Sequence, residues 1–214
     1  MEAMSRPTPG GFGIAPFVEW SVASRPKPGE RTTGDLSLVM PHHDGTLVAV
    51  IDGLGHGEAA AEAADAARVV LAREPGDTAI SHIKRCHDAL VRTRGVAMSI
   101  ATIDARRATL TWISVGNVEG LVVQSGPDGH ASRSRLITRG GVVGSALPQL
   151  RAEIIPLAPG DLLVFATDGI DQRFADDFPR DARSADEIAN GVLAQFAKTT
   201  DDALVLVARV GERG

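Results

Sequence analysis

Four aspartate-bearing segments stand where apolar runs end or begin. Ile51-Asp52-Gly53-Leu54-Gly55-His56-Gly57 closes the run Leu47–Ile51, and Phe165-Ala166-Thr167-Asp168-Gly169 closes a second run that starts at Leu162. Thr33-Gly34-Asp35 opens Leu36-Ser37-Leu38-Val39-Met40, and Thr200-Asp201-Asp202 opens Ala203-Leu204-Val205-Leu206-Val207. Carboxylates gathered at one rim repel one another and are driven toward protonation unless a cation neutralises them. A donor set made of oxygen alone favours hard ions, Mg²⁺ or Mn²⁺. Two such ions can orient a water and stabilise in-line attack on phosphorus, so a phosphate ester would be hydrolysed without a protein nucleophile. The glycine after each Asp52 and Asp168 lets the backbone come close to an ion or a phosphate. Read one at a time, the same aspartates are ordinary turn residues and helix caps. Separation in sequence does not decide between the two readings.

The elements that would have to gather them are legible in outline. About ten short runs rich in β-branched and aliphatic residues recur between turn signals: VEWSVAS, DLSLVM, TLVAVID, VAMSIATID, TLTWISV, GLVVQS, SRLIT, AEIIPL, DLLVFATD and ALVLVARV. HHDG and DARRA are short connections, which predicts hairpins and mainly antiparallel sheet. Two helices are predicted between the third and fourth runs. In the first, Ala60, Ala63, Ala64, Ala67 and Leu71 share a face. The second is expected to be capped by Asp77. A third is predicted over Ser184–Ala197, with Ser184 and Glu187 spaced as a capping box. The segment Ser125–Arg135 reads as an exposed hairpin loop. Strand pairs followed by helix pairs predict an α+β fold with two sheets face to face and helices outside.

Composition narrows the classes. A chain of 214 residues, 43% of them hydrophobic, predicts one domain over residues 16–214 behind a Pro/Gly-rich leader at 1–15. The net charge of -5 and the lack of any basic run argue against nucleic acid. No apolar stretch has the length of a signal peptide or a membrane span, so no membrane role is expected. One cysteine, Cys86, permits no internal disulfide and fits a cytoplasmic setting, where it reads as a small core residue.

In their order, Thr33-Gly34-Asp35, Asp52-Gly53-Leu54-Gly55-His56-Gly57, Thr167-Asp168-Gly169 and Asp201-Asp202 resemble the motif series of the protein phosphatase 2C-like (PPM) superfamily. DGLGHG is similar to its bacterial SpoIIE/RsbX branch, and Arg85-Cys86-His87, Arg94–Ser99 and Ser114–Val118 resemble the RsbX type most. The resemblance runs from about residue 20 to the end. It implies a four-layer α-β-β-α sandwich and a metal-dependent serine/threonine phosphatase using two Mn²⁺ or Mg²⁺ ions. Asp52 would bridge both metals with the Gly53 carbonyl completing one site, Asp168 and Asp201 would hold the second metal, and Asp35 would orient a water on the metal or a further ion. Asp201 is favoured over Asp202. The implied substrate is phosphoserine or phosphothreonine on a regulatory partner of a stressosome or anti-sigma-antagonist system. The family continues its last motif as Asp-Asp-x-Thr, whereas Leu204 stands at that place here, removing a hydroxyl that supports the ligands.

Other residues carry alternatives. His56 either protonates the leaving serine oxygen or faces solvent. Arg31 either pairs with substrate phosphate or is a plain surface arginine. Asn117 is expected to stabilise a turn near the site, and Trp20 and Trp112 to pack between the sheets. Two other functions fit less well: a PPM-fold binding module, which loss of the acidic set would favour, and a hydrolase for a small phosphorylated metabolite, which a capping insertion or basic pocket would favour.

Overall fold

A computed structural model describes residues 11–15, 17–125, 131–178 and 184–211. Eleven strands form two antiparallel sheets among these residues. One sheet holds β1 (Gly11–Ala15), β2 (Val18–Arg25), β7 (Glu119–Ser125), β8 (Ala131–Arg135), β10 (Leu162–Ala166) and β11 (Ala203–Val210), in the order β1-β2-β11-β10-β7-β8. The other holds β3 (Asp35–His42), β4 (Gly45–Gly53), β5 (Val96–Asp104), β6 (Thr109–Val115) and β9 (Glu153–Pro156), in the order β3-β4-β5-β6-β9.

Alternation along the central strands explains the layers, because successive side chains of a strand point to opposite faces. On β4, Val48 and Val50 enter the core between the sheets, while Leu47, Ala49 and Ile51 pack under α1 (Glu58–Arg73) and α2 (Ala79–Leu90). On β11, Leu204, Leu206 and Ala208 face the other sheet, while Ala203, Val205 and Val207 pack under α3 (Ala185–Phe196). Both faces of each sheet are therefore covered, and each buried aliphatic side chain contributes about 1.5–3 kcal/mol. Trp112 and Phe165 meet between the sheets with ring centroids 5.6 Å apart, and Trp20 packs at the margin of the same core. The α-β-β-α sandwich expected from the sequence is the observed fold.

Local differences have local causes. The segment read as a leader contains β1, whose Gly11 and Gly13 lie against the Trp20 ring on β2; two glycines in five residues hid it. The leader before Gly11 lies outside the described residues, as do residues 126–130 of the predicted loop. The rest of that loop is mostly β8, so the strand read as SRLIT begins earlier and stops at Arg135. Thr78, not Asp77, caps α2, its side chain accepting from the Ser81 N–H, while Asp77 accepts from the Thr78 N–H. The capping box of Ser184 and Glu187 is present. Among the described residues, no helix is long and apolar enough to cross a membrane.

Candidate metal centre

Strand register brings the first two aspartates together. Asp35 opens β3, Asp52 lies at the end of β4, and the two are directly paired. Opposed residues of an antiparallel pair put their side chains on one face, with Cβ atoms about 4.5–5.5 Å apart. Asp168 follows β10 and Asp201 precedes β11, which pair antiparallel so that these ends coincide. A threonine side chain links the two sheets at this rim. The Thr167 hydroxyl donates to Asp35 Oδ2 at 2.7 Å and accepts from the Leu204 N–H at 2.9 Å, while the Thr167 N–H donates to the Leu204 carbonyl at 3.1 Å.

Electrostatics show how close the four groups are. Burial pushes the Asp52 carboxyl up to about 7, reinforced by the charges of Asp168, Asp201 and Asp202. Asp35, only 3% exposed, is driven well above the usual carboxylate range by burial first and Asp52 next, with the Thr167 hydrogen bond opposing. Asp168 is exposed at the rim and still raised, by partial desolvation and then by Asp201. The Asn117 side-chain amide donates to Asp168 Oδ2 at 2.7 Å, which fixes that carboxylate.

Asp201 and Asp202 divide their work. Both Asp202 oxygens accept main-chain N–H groups at 2.7 Å, Oδ1 from Lys27 and Oδ2 from Gly34, and the residue is 4% exposed. Asp202 thus staples the loop leading into β3. Asp201 accepts from the Asp202 N–H through Oδ1 and is less enclosed than Asp202. Leu204 buries its side chain between the sheets at 2% exposure.

The glycines act through close approach as much as through backbone freedom. A Cβ on Gly53 would stand 2.1 Å from the Ala60 carbonyl oxygen of α1, and one on Gly169 would stand 1.7 Å from the Asp202 carbonyl oxygen. A Cβ on Gly34 would meet Ala60 Cβ at 2.8 Å and lie 3.3 Å from the Gly53 carbonyl oxygen. Gly34 thereby leaves room beside that carbonyl. Gly55, at φ +91°, takes the left-handed conformation that a side chain would oppose.

The remaining predicted residues lie on the adjoining loops. His56 Nδ1 is 3.0 Å from Glu30 Oε1, with both side chains partly exposed. Arg31 is exposed on the loop between β2 and β3. Sequence reasoning gave no role to Glu30, Thr167 or Lys198, and kept Asn117 as a turn residue. The neighbour relations Thr167–Asp168 and Asp201–Asp202 were the available signals, but the partners lie 132 and 168 residues away.

This donor set fits hard cations. It is all oxygen, it concentrates buried negative charge at Asp52, and the Gly34 gap flanks the Gly53 carbonyl. Among the described residues, no three acidic or imidazole side chains form a ready-made cation cage.

Comparison with known proteins bears on the family and the fold. The family model described as stage II sporulation protein E (SpoIIE) matches residues 42–211. The phosphoserine phosphatase RsbX of Bacillus subtilis (strain 168) is 26% identical over 185 residues, covering 86% of this chain and 90% of that protein. A solved structure from work on the bacterial stressosome, a modular system adapted to control secondary messenger signalling, superposes with a TM-score of 0.82 at 26% identity, covering 90% of this chain and 99% of its own. The crystal structure of RsbX in complex with magnesium gives 0.83 at 22% identity, covering 94% and 100%.

Proposed function

This chain belongs to the SpoIIE family of serine/threonine phosphatases, and from that premise we propose that it hydrolyses phosphoserine or phosphothreonine on a regulatory partner protein in a bacterial stress-signalling system. The observation that carries the reading is the direct pairing of Asp35 with Asp52 at the rim where the paired strands β10 and β11 bring Asp168 and Asp201, with burial and those neighbours pushing the Asp52 carboxyl up to about 7. A phosphatase of this chemistry needs such a concentration of negative charge. Asp52 would lie between two cations with the Gly53 carbonyl beside one of them, and Asp168 and Asp201 would hold the second. Two Mn²⁺ or Mg²⁺ ions, when bound, supply the charge that activates water and offsets the phosphate.

The chain's own residues do the rest. Asp35, held at Oδ2 by Thr167, would orient a water or a further cation. His56 engages Glu30 through Nδ1, which leaves Nε2 to protonate the departing serine oxygen. Arg31, exposed on the loop that leads to Asp35, would pair with the substrate phosphate. The choice of a stress-signalling phosphoprotein follows from the similarity to a phosphoserine phosphatase and to a stressosome structure.

The test is phosphate release from a phosphoserine protein of the anti-sigma-antagonist type. Release with Mn²⁺ that chelator abolishes and added Mn²⁺ restores is the expected result. Release that ignores the chelator would contradict the reading.

A further inference from the structure

Lys198 lies just past α3, three residues before Asp201. Its main-chain N–H donates to the Gly169 carbonyl at 2.7 Å, and its ammonium donates to the Asp168 carbonyl, also at 2.7 Å. The Asp171 N–H donates to the Phe196 carbonyl at 2.8 Å, and Ile170 and Ala197 form an antiparallel bridge. Residues 168–171 and 196–198 are thus stitched side by side. These are the turn that carries Asp168 and the segment that delivers Asp201.

The stitching works against a repulsion. Asp168 and Asp201 carry like charges on two surface turns, and each pushes the other away. The main-chain bonds are neutral, and each adds little net free energy. The ammonium adds a charge-assisted bond, and its charge also offsets Asp168 and Glu119. It binds a main-chain carbonyl, so it does not occupy a carboxylate oxygen that a cation would use. A positive charge near a cation site also repels the cation, but at an exposed ammonium that repulsion is screened. The positional restraint is not screened.

We propose that Lys198 is a positioning residue that locks the Asp168 turn to the Asp201 segment and so sets the affinity for the cation those two aspartates share. The inference rests on the phosphatase reading above. It assigns a role to a side chain that holds no cation itself.

Calorimetric titration with Mn²⁺ of the cation-free chain, its Lys198→Met variant and its Lys198→Arg variant tests it. The expected result is a five- to tenfold weaker cation step in Lys198→Met, about what one typical hydrogen bond at an exposed side chain supports, and recovery to within about twofold in Lys198→Arg, which keeps a cationic donor. Phosphate release at limiting Mn²⁺ should fall by the same factor and recover as Mn²⁺ is raised. A Lys198 that only stabilised the fold would lower the thermal midpoint of the cation-free chain without moving the isotherm. An isotherm that superposes on the wild type, or one that tightens, overturns this inference alone. A wild-type chain that binds no Mn²⁺ overturns it together with the phosphatase reading.

Discussion

The Thr167 hydroxyl and the Asp35 carboxylate, 132 residues apart, are joined by a 2.7 Å hydrogen bond that ties one sheet to the other at the rim where the aspartates gather. Thr167 ends the strand region of β10, and Asp35 opens β3. Both are almost fully buried. The same hydroxyl accepts from the Leu204 N–H, so one oxygen sets the position of Asp35, the start of β11 and the turn carrying Asp168. Proper spacing of the candidate ligands therefore depends on a residue that is not one of them.

Replacing Thr167 by valine keeps the shape and removes both bonds. The buried Asp35 carboxyl and the Leu204 N–H lose their partner, at a cost of roughly 1–3 kcal/mol for each unsatisfied group. Urea denaturation of the cation-free chain should show that loss, and Thr167→Ser should recover most of it. A valine variant as stable as the wild type would mean that the bond does not join the sheets in solution.

Proton linkage gives a second expectation. Asp52 holds its proton up to about 7 in the folded chain, against about 3.9 when unfolded. Between those values the folded state binds the extra proton, so this group's contribution to stability falls as pH rises from about 4 to about 7 and is then constant. Asp35, raised as well, acts in the same direction. Burial lowers His82 and His42, and both act oppositely below about 6.5. The quantity to follow is therefore the thermal midpoint of Asp52→Asn minus that of the wild type, both without cation. It should grow from pH 5 to about pH 7 and then level off. A difference that is flat or shrinks would contradict a proton on Asp52.

Asp201 and Asp202 should separate cleanly under substitution. Asp201→Asn is expected to leave stability nearly unchanged and to weaken Mn²⁺ binding at least about tenfold, since a coordinating carboxylate is lost. Asp202→Ala strips two buried main-chain N–H groups of their acceptor and should cost roughly 1–3 kcal/mol for each. Calorimetry and chemical denaturation on both variants decide it. The reverse pattern would give the ligand role to Asp202.

Much of this was legible beforehand because β4, β10 and β11 are continuous apolar runs, the pattern of strands buried on both faces, although which face meets the other sheet and which a helix emerges only in the fold. The alanine face of α1 and the Ser184 cap were equally direct. Asp-Gly at two strand ends pointed to the rim, but the reason for those glycines was only half visible. Gly53 and Gly169 are needed because Ala60 and Asp202 backbone atoms occupy the space of a side chain, and such approaches between distant segments leave no periodic trace. The same holds for Asp202, whose neighbour Asp201 has identical chemistry in sequence and a different exposure in the fold. Strand β1 escaped notice because its glycines and its pairing with β2, not its apolar content, make it a strand. Asp35, given an outlying part by resemblance, is among the most enclosed of the carboxylates.

The central claim is that Asp52 anchors the cations on which hydrolysis depends. The most direct test compares the wild type with Asp52→Asn for the rate of phosphate release from a phosphoserine protein across a Mn²⁺ titration. The wild-type rate should rise to saturation, and the variant should stay lower by about a hundredfold or more at every Mn²⁺ concentration, the loss of several kcal/mol of charge stabilisation. A variant that matches the wild-type rate at any Mn²⁺ concentration would contradict the account.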